Sequence, residues 1–251
     1  MVLRGKVAVV TGAGRGIGKA IALAMAEAGA DVVAVARTVS QIEATASEVR
    51  AMGRRSLSVP ADVCRKADVE HMVQKTIDEF GRIDILVNNV GGAKGAAYDE
   101  LEMTEELFDA IFDLNVKSVF LCSQAVARVM IRQRTGSIIN ISSGASFVPR
   151  PRFAHYGASK AAVNHLSRTF ATVWGHHGIR VNVVAPSSVA TEESAAYRAS
   201  MPELMNDRLK RIPLGRWGKA EDTATATVFL ASDAAGFING AVLPVDGGLA
   251  E

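Results

Sequence analysis

A chain of 251 residues with 49% apolar side chains is long enough for one large α/β domain or two small ones. A net charge of +2 and no lysine- or arginine-rich run give no argument for nucleic acid or an anionic membrane surface. The two cysteines, Cys64 and Cys122, lack metal-ligand spacing and read as reduced core thiols of a cytoplasmic protein.

No signal peptide is expected, because the apolar run after Lys6 is short and meets glycine at once. No apolar run approaches the roughly 18 residues of a membrane span. Lys6–Thr11 is β-branched, as a buried parallel strand would be. Thr11-Gly12-Ala13-Gly14-Arg15-Gly16-Ile17-Gly18 follows, then a helical stretch capped near Gly29. A glycine turn between strand and helix lets backbone approach a pyrophosphate, and the helix N-terminus favours its charge. The spacing is G-x-x-x-G-x-G rather than the commoner dinucleotide fingerprint, and an unliganded tight turn is the plainer alternative.

Asp31–Ala36 is the second expected strand. A carboxylate at its end would bond the ribose hydroxyls of NAD, but Ala36 and then Arg37 stand there. Ser40–Met52 reads as helix and Arg55–Val59 as strand, leading to Asp62 and Val63. Asp62 is either a turn or cap residue or a contact for adenine. Lys66–Phe80 is helical with Val69, Met72, Val73 and Ile77 on one face, stopped by Gly81. Ile83–Val87 is a strand before Asn88-Asn89-Val90-Gly91-Gly92, and Ala93–Met103 is loop. Thr104 to Arg134 is helical with an interruption near Asn115, which alone would be surface or packing polarity.

Ser137–Ile141 is the fifth strand, followed by Ser142-Ser143-Gly144 and a loop kept open by Pro149 and Pro151. The next helix runs to Trp174 with apolar residues on more than one side, suggesting a partner subunit. His176 and His177 are solvated residues at its end. Ile179–Val184 is a strand, Pro186–Pro213 is polar and helical in patches, Lys219–Ala231 is helix and Ala241–Val245 the last strand. Alternating strands and helices without a linker or repeat predict one doubly wound domain, with ligands beyond the carboxyl ends of the strands.

Tyr156 and Lys160 lie four apart in a helical segment, so phenol and ammonium share a face. A nearby ammonium favours phenolate and suits the tyrosine to proton transfer near neutral pH. An accidental pair on a solvated helix is the alternative.

Taken in order, Thr11-Gly12-x-x-x-Gly16-x-Gly18, Asp62, Asn88-Asn89, Asn115, Ser143, Tyr156-x-x-x-Lys160 and Pro186 resemble the short-chain dehydrogenase/reductase family over essentially the full chain. In particular they resemble 3-oxoacyl-acyl-carrier-protein reductases and related carbonyl reductases. The resemblance implies a single Rossmann-type domain, a parallel sheet of about seven strands with helices on both faces, a nicotinamide cofactor and a homotetramer or dimer. It implies that Tyr156 is the general acid or base and that Lys160 lowers its pKa and holds the nicotinamide ribose. Ser143 would polarise the substrate oxygen, and Asn115 would hold a water linking Lys160 to solvent. No metal is expected. The cofactor would meet Gly12, Arg15, Gly16, Ile17 and Gly18 in the first turn, then Arg37, Asp62 and Val63. Asn89 and Gly91 follow, and then Tyr156, Lys160, Pro186, Val189 and Thr191. Two positions depart from the family pattern: Val90 replaces an alanine and Ser187 a glycine, which bears on the geometry of the loop from 186 to 213.

Ala36, Arg37 and Arg15 favour NADP(H), with NAD(H) possible, because two guanidinium groups suit a 2′-phosphate. The expected activity is hydride transfer between a ketone and a secondary alcohol. Two substrate classes stay open. One is a small-molecule ketone. The other is a carrier-bound 3-oxoacyl group, which would want basic residues beside the site mouth; Arg134 fits, but His177 stands where a second arginine would help. A catalytically silent dinucleotide sensor or scaffold is the alternative of another class. Residues 93–98 and the loop from 186 to 213 should line the substrate pocket. Lys94, Arg150, Arg152 and His155 either draw an anionic substrate to its mouth or are ordinary loop charge.

Overall fold

The structure is a computed structural model and describes residues 1–93 and 99–249. Seven strands form one sheet: β1 (Val7–Thr11), β2 (Asp31–Ala36), β3 (Ser56–Pro60), β4 (Ile85–Asn88), β5 (Gly136–Ile141), β6 (Ile179–Pro186) and β7 (Val242–Val245). Their order is β3-β2-β1-β4-β5-β6-β7, and every neighbouring pair is parallel. The chain leaves β1 toward β3 on one side and returns to β4 on the other. The carboxyl ends of β1 and β4 therefore flank a crevice at the switch point, where doubly wound sheets bind ligands.

Alternation along the strands sends side chains into two cores. Ala8 and Val10 face a cluster containing Ile21, Met25 and Leu230, from α1 (Gly16–Glu27) and α9 (Ala220–Ala231). Val7 and Val9 face Met72, Val126, Met130 and Phe170, from α3 (Lys66–Phe80), α5 (Ser118–Gln133) and α6 (Ala154–Trp174). All five residues of β1 are buried, as β-branched residues covered on both faces should be. The remaining helices are α2 (Val39–Ala51), α4 (Glu105–Phe112), α7 (Glu192–Ser200) and α8 (Pro202–Lys210).

Most expected elements are found with ends moved by a residue or two. Gly29, Gly53 and Gly81 take positive φ just beyond α1, α2 and α3, as expected of residues that let a helix turn away. The interruption near Asn115 is a π-helical turn, Asp113–Lys117, between α4 and α5. The polar stretch after β6 forms α7 and α8, the latter opening on Pro202. Of the expected pocket-lining segment, Lys94 to Tyr98 lie outside the described residues.

One expectation, the absence of a membrane span, stands with a remark, and one, on the cysteines, needs correction. The helical run Glu105–Gln133 is long and apolar enough, by length and composition, to cross a membrane. Half of its most apolar window is buried, and α5 packs on β4, β5, α3 and α6, which is the position of a core helix. Cys122 is a buried core thiol, but Cys64 is only part-buried, in the turn after β3. Burial, reinforced by Asp62 for Cys64, pushes the two thiols to about 11 and about 12, so both stay protonated and unreactive near neutral pH.

Candidate active site

The glycine turn is held from three sides. Thr11 Oγ1 donates to Val87 O at 3.2 Å and accepts from Asn89 N at 3.0 Å. Asn89 Nδ2 donates to Thr11 O at 3.0 Å, joining the ends of β1 and β4. Ala13 N donates to Val35 O at 3.2 Å, and Ala13 O accepts from Thr45 Oγ1 at 2.9 Å. A Cβ on Gly18 would stand 2.1 Å from Gly12 O, and one on Gly12 would stand 2.7 Å from Asn89 Nδ2. Glycine is needed at both places, so backbone rather than side chains lines this turn. Arg15 precedes α1 with extended backbone, and α1 has no acidic residue in its first turn, which suits an anion there. Ile17 packs on the core, while Arg15 and Arg37 are exposed near the ends of β1 and β2.

The other expected contacts surround this crevice. Val63 is buried, and Asp62 Oδ1 accepts from Cys64 N at 3.1 Å, so the Asp62 carboxylate also shapes its turn. Pro186 ends β6. Val189 pairs with Gly218, and Thr191 caps α7 by accepting from Ser194 N at 3.3 Å. A Cβ on Gly91 would come within 2.7 Å of Lys160 Nζ and 2.8 Å of Asn115 Oδ1. Turn, loop and helix therefore meet at that glycine.

Lys160 is 3% exposed. Its Nζ donates to Ile141 O at 2.9 Å, and its backbone carbonyl accepts from Ser142 Oγ at 3.1 Å. These bonds tie α6 to the end of β5. A second tie runs from Asn88 Nδ2 to Asn140 Oδ1 at 2.8 Å and from Asn140 Nδ2 to Ser167 Oγ at 2.7 Å. The π-helical turn leaves Asn115 fully buried. Asn115 Nδ2 donates to Ser159 Oγ at 2.9 Å and to Gly92 O at 3.1 Å, and Asn115 Oδ1 accepts from Gly92 N at 2.8 Å. Ser143 begins a short 3₁₀ turn, and its Oγ accepts from Ala145 N at 3.2 Å. Ser143 lies close enough to the Tyr156 phenol to favour its ionised form. The structure thus brings Asn115, Ser143, Tyr156 and Lys160 together at the carboxyl edge of the sheet.

Several sequence expectations change here. Burial pushes the Tyr156 phenol above its ordinary value, while Ser143 and the Arg150 charge pull it down. Lys160 was expected to be the group that lowers it. Its Nζ lies 5.9 Å from the Tyr156 ring centroid, and burial has brought the lysine itself down to about 8. A weakened charge at that distance, already donating to a carbonyl, leaves Ser143 and Arg150 as the groups that favour phenolate. Asn115 spends its side chain on Gly92 and Ser159. His155 is 1% exposed and cannot belong to a charged mouth. Arg134 precedes β5 and His177 precedes β6, so both sit at the amino edge of the sheet, opposite Tyr156. A concavity of about 590 Å³ at that edge holds Asp84 and Arg180. These serve the fold there: Asp84 accepts from Val7 N at 2.9 Å, and Arg180 donates to Ser232 O at 3.1 Å.

Sequence reasoning also missed contributors. Asn140, Ser159 and Ser167 gave no signal, since each looks like ordinary polarity until the fold closes around it. Ser187 and Ser188 were visible only as a departure from glycine. Ser187 does not need positive φ; Ser188 takes it, at 54°. Arg208, on α8, donates from Nε to Ser188 Oγ at 2.7 Å. Its distance along the chain from the other site residues hid it.

The depressed pKa of Lys160 makes a stability prediction. Between about 8 and its ordinary 10.5 the unfolded chain binds more protons than the folded one, so this group's penalty on folding fades as pH rises through that window. Lys160→Met should therefore gain stability relative to the parent below pH 8, and that gain should shrink by up to about 3 kcal/mol toward pH 10.5. Urea unfolding of both proteins across this range is the check. The cysteines, common to both, cancel in the difference, and a pH-independent difference would contradict the assignment.

A family model described as enoyl-(acyl carrier protein) reductase matches residues 12–250. The chain is 42% identical to a 2-dehydro-3-deoxy-D-gluconate 5-dehydrogenase of Dickeya dadantii, covering 98% of this chain and 96% of the relative. It is 41% identical to a 3-oxoacyl-[acyl-carrier-protein] reductase of Synechocystis, covering 98% of each. A gluconate 5-dehydrogenase from Burkholderia cenocepacia, solved with NADP and tartrate, superposes with a TM-score of 0.92 at 38% identity, over 98% of this chain and 96% of that one. A 7α-hydroxysteroid dehydrogenase solved with NADH and 7-oxo glycochenodeoxycholic acid superposes with a TM-score of 0.92 at 35% identity, over 98% and 94%. Similarity of this extent, around a glycine turn and a serine–tyrosine–lysine cluster at one sheet edge, leaves one conclusion: the chain belongs to the short-chain dehydrogenase/reductase family of oxidoreductases.

Proposed function

We propose that the protein interconverts a small-molecule ketone and a secondary alcohol with NADP(H), and that Tyr156 transfers the proton. The observation that carries this is that Ser143 lies close enough to Tyr156 to favour its phenolate, beside buried Lys160 and Asn115. Two hydroxyls this near one another can both bond one substrate oxygen. Ser143 would stabilise charge developing on it, and Tyr156 would give it a proton in reduction or remove one in oxidation. Lys160 holds the helix that carries Tyr156, while Ser143 and the Arg150 charge favour the phenolate. A silent sensor would have no use for this cluster.

Gly12 and Gly18 shape a backbone-lined turn that fits a pyrophosphate, with Ile17 and Gly16 at the start of α1. Arg15, Arg37, Asp62, Val63, Asn89, Gly91, Pro186, Val189 and Thr191 complete the binding surface. The nicotinamide supplies or accepts the hydride when bound. Ala36 withholds a carboxylate from the adenosine ribose, and Arg15 and Arg37 can bond a 2′-phosphate, so NADP(H) is favoured over NAD(H).

The similar sugar-acid dehydrogenases support a small-molecule substrate. The similarity to a 3-oxoacyl-carrier reductase supports a carrier-bound 3-oxoacyl group as the second reading, although Arg134 and His177 face the wrong edge to serve it in this chain. The protein would work in the cytoplasm as a homo-oligomer. Phe120 on α5 and Val173 on α6 are 39% and 52% exposed on helices that are otherwise core-forming, a pattern that a second copy would cover.

Tyr156→Phe should lower kcat by about a hundredfold or more while leaving the cofactor Kd nearly unchanged, because only the proton donor is lost. Turnover close to the parent's would remove Tyr156 from its role. In kcat/KM the parent should prefer NADPH to NADH by about a hundredfold, the worth of two charge-assisted bonds. Ala36→Asp with Arg37→Ser should shift preference toward NADH. A parent that prefers NADH would refute the choice of cofactor. Light scattering at micromolar concentration should give a mass that is a multiple of 26.5 kDa; a monomer would count against the oligomer.

A further inference from the structure

Two guanidinium groups from distant parts of the chain converge on one hydroxyl at the mouth of this site. Arg150, in the loop between β5 and α6, donates from Nη2 to Ser187 Oγ at 3.3 Å. Arg208, on α8, donates from Nη2 to the same Ser187 Oγ at 3.4 Å and from Nε to Ser188 Oγ at 2.7 Å. Ser187 is 7% exposed and follows directly on the end of β6, beside β5 and Ser143. Arg150 is close enough to Tyr156 for its charge to favour the phenolate. The Ser188 backbone is held in the left-handed region, φ 54°, which a serine adopts only under strain. That conformation turns its hydroxyl to Arg208.

Two guanidinium groups that meet at one hydroxyl beside Tyr156 can match the oxygens of a carboxylate with charge-assisted hydrogen bonds. A guanidinium has five N–H donors in a planar fork, so each can serve a serine and a carboxylate together. We propose that Arg150 and Arg208, with the Ser187 hydroxyl between them, form a carboxylate clamp, and that the substrate is a small hydroxy or oxo acid whose carboxylate lies close to the reacting carbon. This rests on the oxidoreductase function proposed above and specifies its substrate class. The place of the clamp discriminates between anions. An anion held beside Tyr156 is separated from the reacting carbon by only a few bonds. The phosphate of a pantetheine arm is many bonds from its thioester and would fall outside.

The test uses full-length protein and NADP, with a panel of five- and six-carbon aldonates and the matching uncharged alditols. For reduction it uses NADPH, with short oxo acids, their methyl esters and a 3-oxoacyl pantetheine thioester. The parent should favour the charged member of at least one matched pair by about tenfold or more in kcat/KM. Arg208→Gln and Arg150→Gln should each reduce that ratio about tenfold, mainly through KM, and Arg208→Lys should fall between parent and glutamine. Calorimetric titration of the preferred acid should show the same weakening without turnover, and circular dichroism identifies a variant that has not folded. Turnover of uncharged substrates with no preference for acids, or preference for the pantetheine thioester alone, overturns the clamp and leaves the oxidoreductase function standing. No turnover of any ketone or alcohol by the parent overturns that function instead. Because the parent's own charged-to-uncharged ratio is decisive, the proposal does not depend on the variants folding.

Discussion

Everything at this site depends on a lysine that has been taken out of water. Lys160 is almost fully buried, and an ammonium there is expensive unless its protons are used. Its Nζ donates to Ile141 O, and the carbonyl of the same residue accepts from Ser142 Oγ. Two bonds from one residue thus clamp the first turns of α6 to the end of β5. Ser143 is the next residue of that chain and Tyr156 lies one turn earlier in α6. Their approach is therefore set by the Lys160 tie, together with the bond from Asn164 Nδ2 to Ser146 Oγ that holds the turn after Ser143 on α6. Burial also brings the lysine to about 8, close to the pH at which a proton carrier must work.

The surroundings act as props for that tie. The π-helical turn between α4 and α5 leaves Asn115 inward, where it bonds the loop after β4 on one side and Ser159 of α6 on the other. Single π-turns inside helices occur often at functional sites because the extra residue re-aims one side chain without ending the helix. Deeper in the sheet, Asn88 and Asn140 sit in register on adjacent strands and pass a hydrogen bond to Ser167. Buried amides of this kind add modest stability but penalise any other packing strongly, since each misalignment would strand a polar group. They hold α6 against slipping along the sheet.

The loop after β6 is built on a different principle. Where the family pattern has a glycine, Ser187 takes an ordinary backbone conformation and the unusual one moves to Ser188. Both hydroxyls are engaged by arginines. What looked like a defect in the motif is thus an added hydroxyl, that of Ser187, engaged by two arginines near the proposed reacting centre.

The sequence by itself determined the sheet, the glycine turn, the helix ends and the Tyr156–Lys160 pair. Each is written in local terms: β-branched runs of strand length, glycines where φ is positive or a Cβ would collide, and residues spaced by one helical turn. The pair was legible because Tyr156 and Lys160 are neighbours on one helix, whereas Ser143 and Asn115 stood out only through the family resemblance. Only the tertiary structure decided what surrounds them. It assigned Asn115 to Gly92 and Ser159, paired Asn88 with Asn140, buried His155 away from the mouth and sent Arg134 and His177 to the opposite edge. It also brought Arg208 to Arg150. Those outcomes depend on which elements pack together and on which end of a strand a residue occupies. Burial likewise reversed the expected cause of the Tyr156 shift, because desolvation depends on the whole fold and cannot be read from a spacing of four.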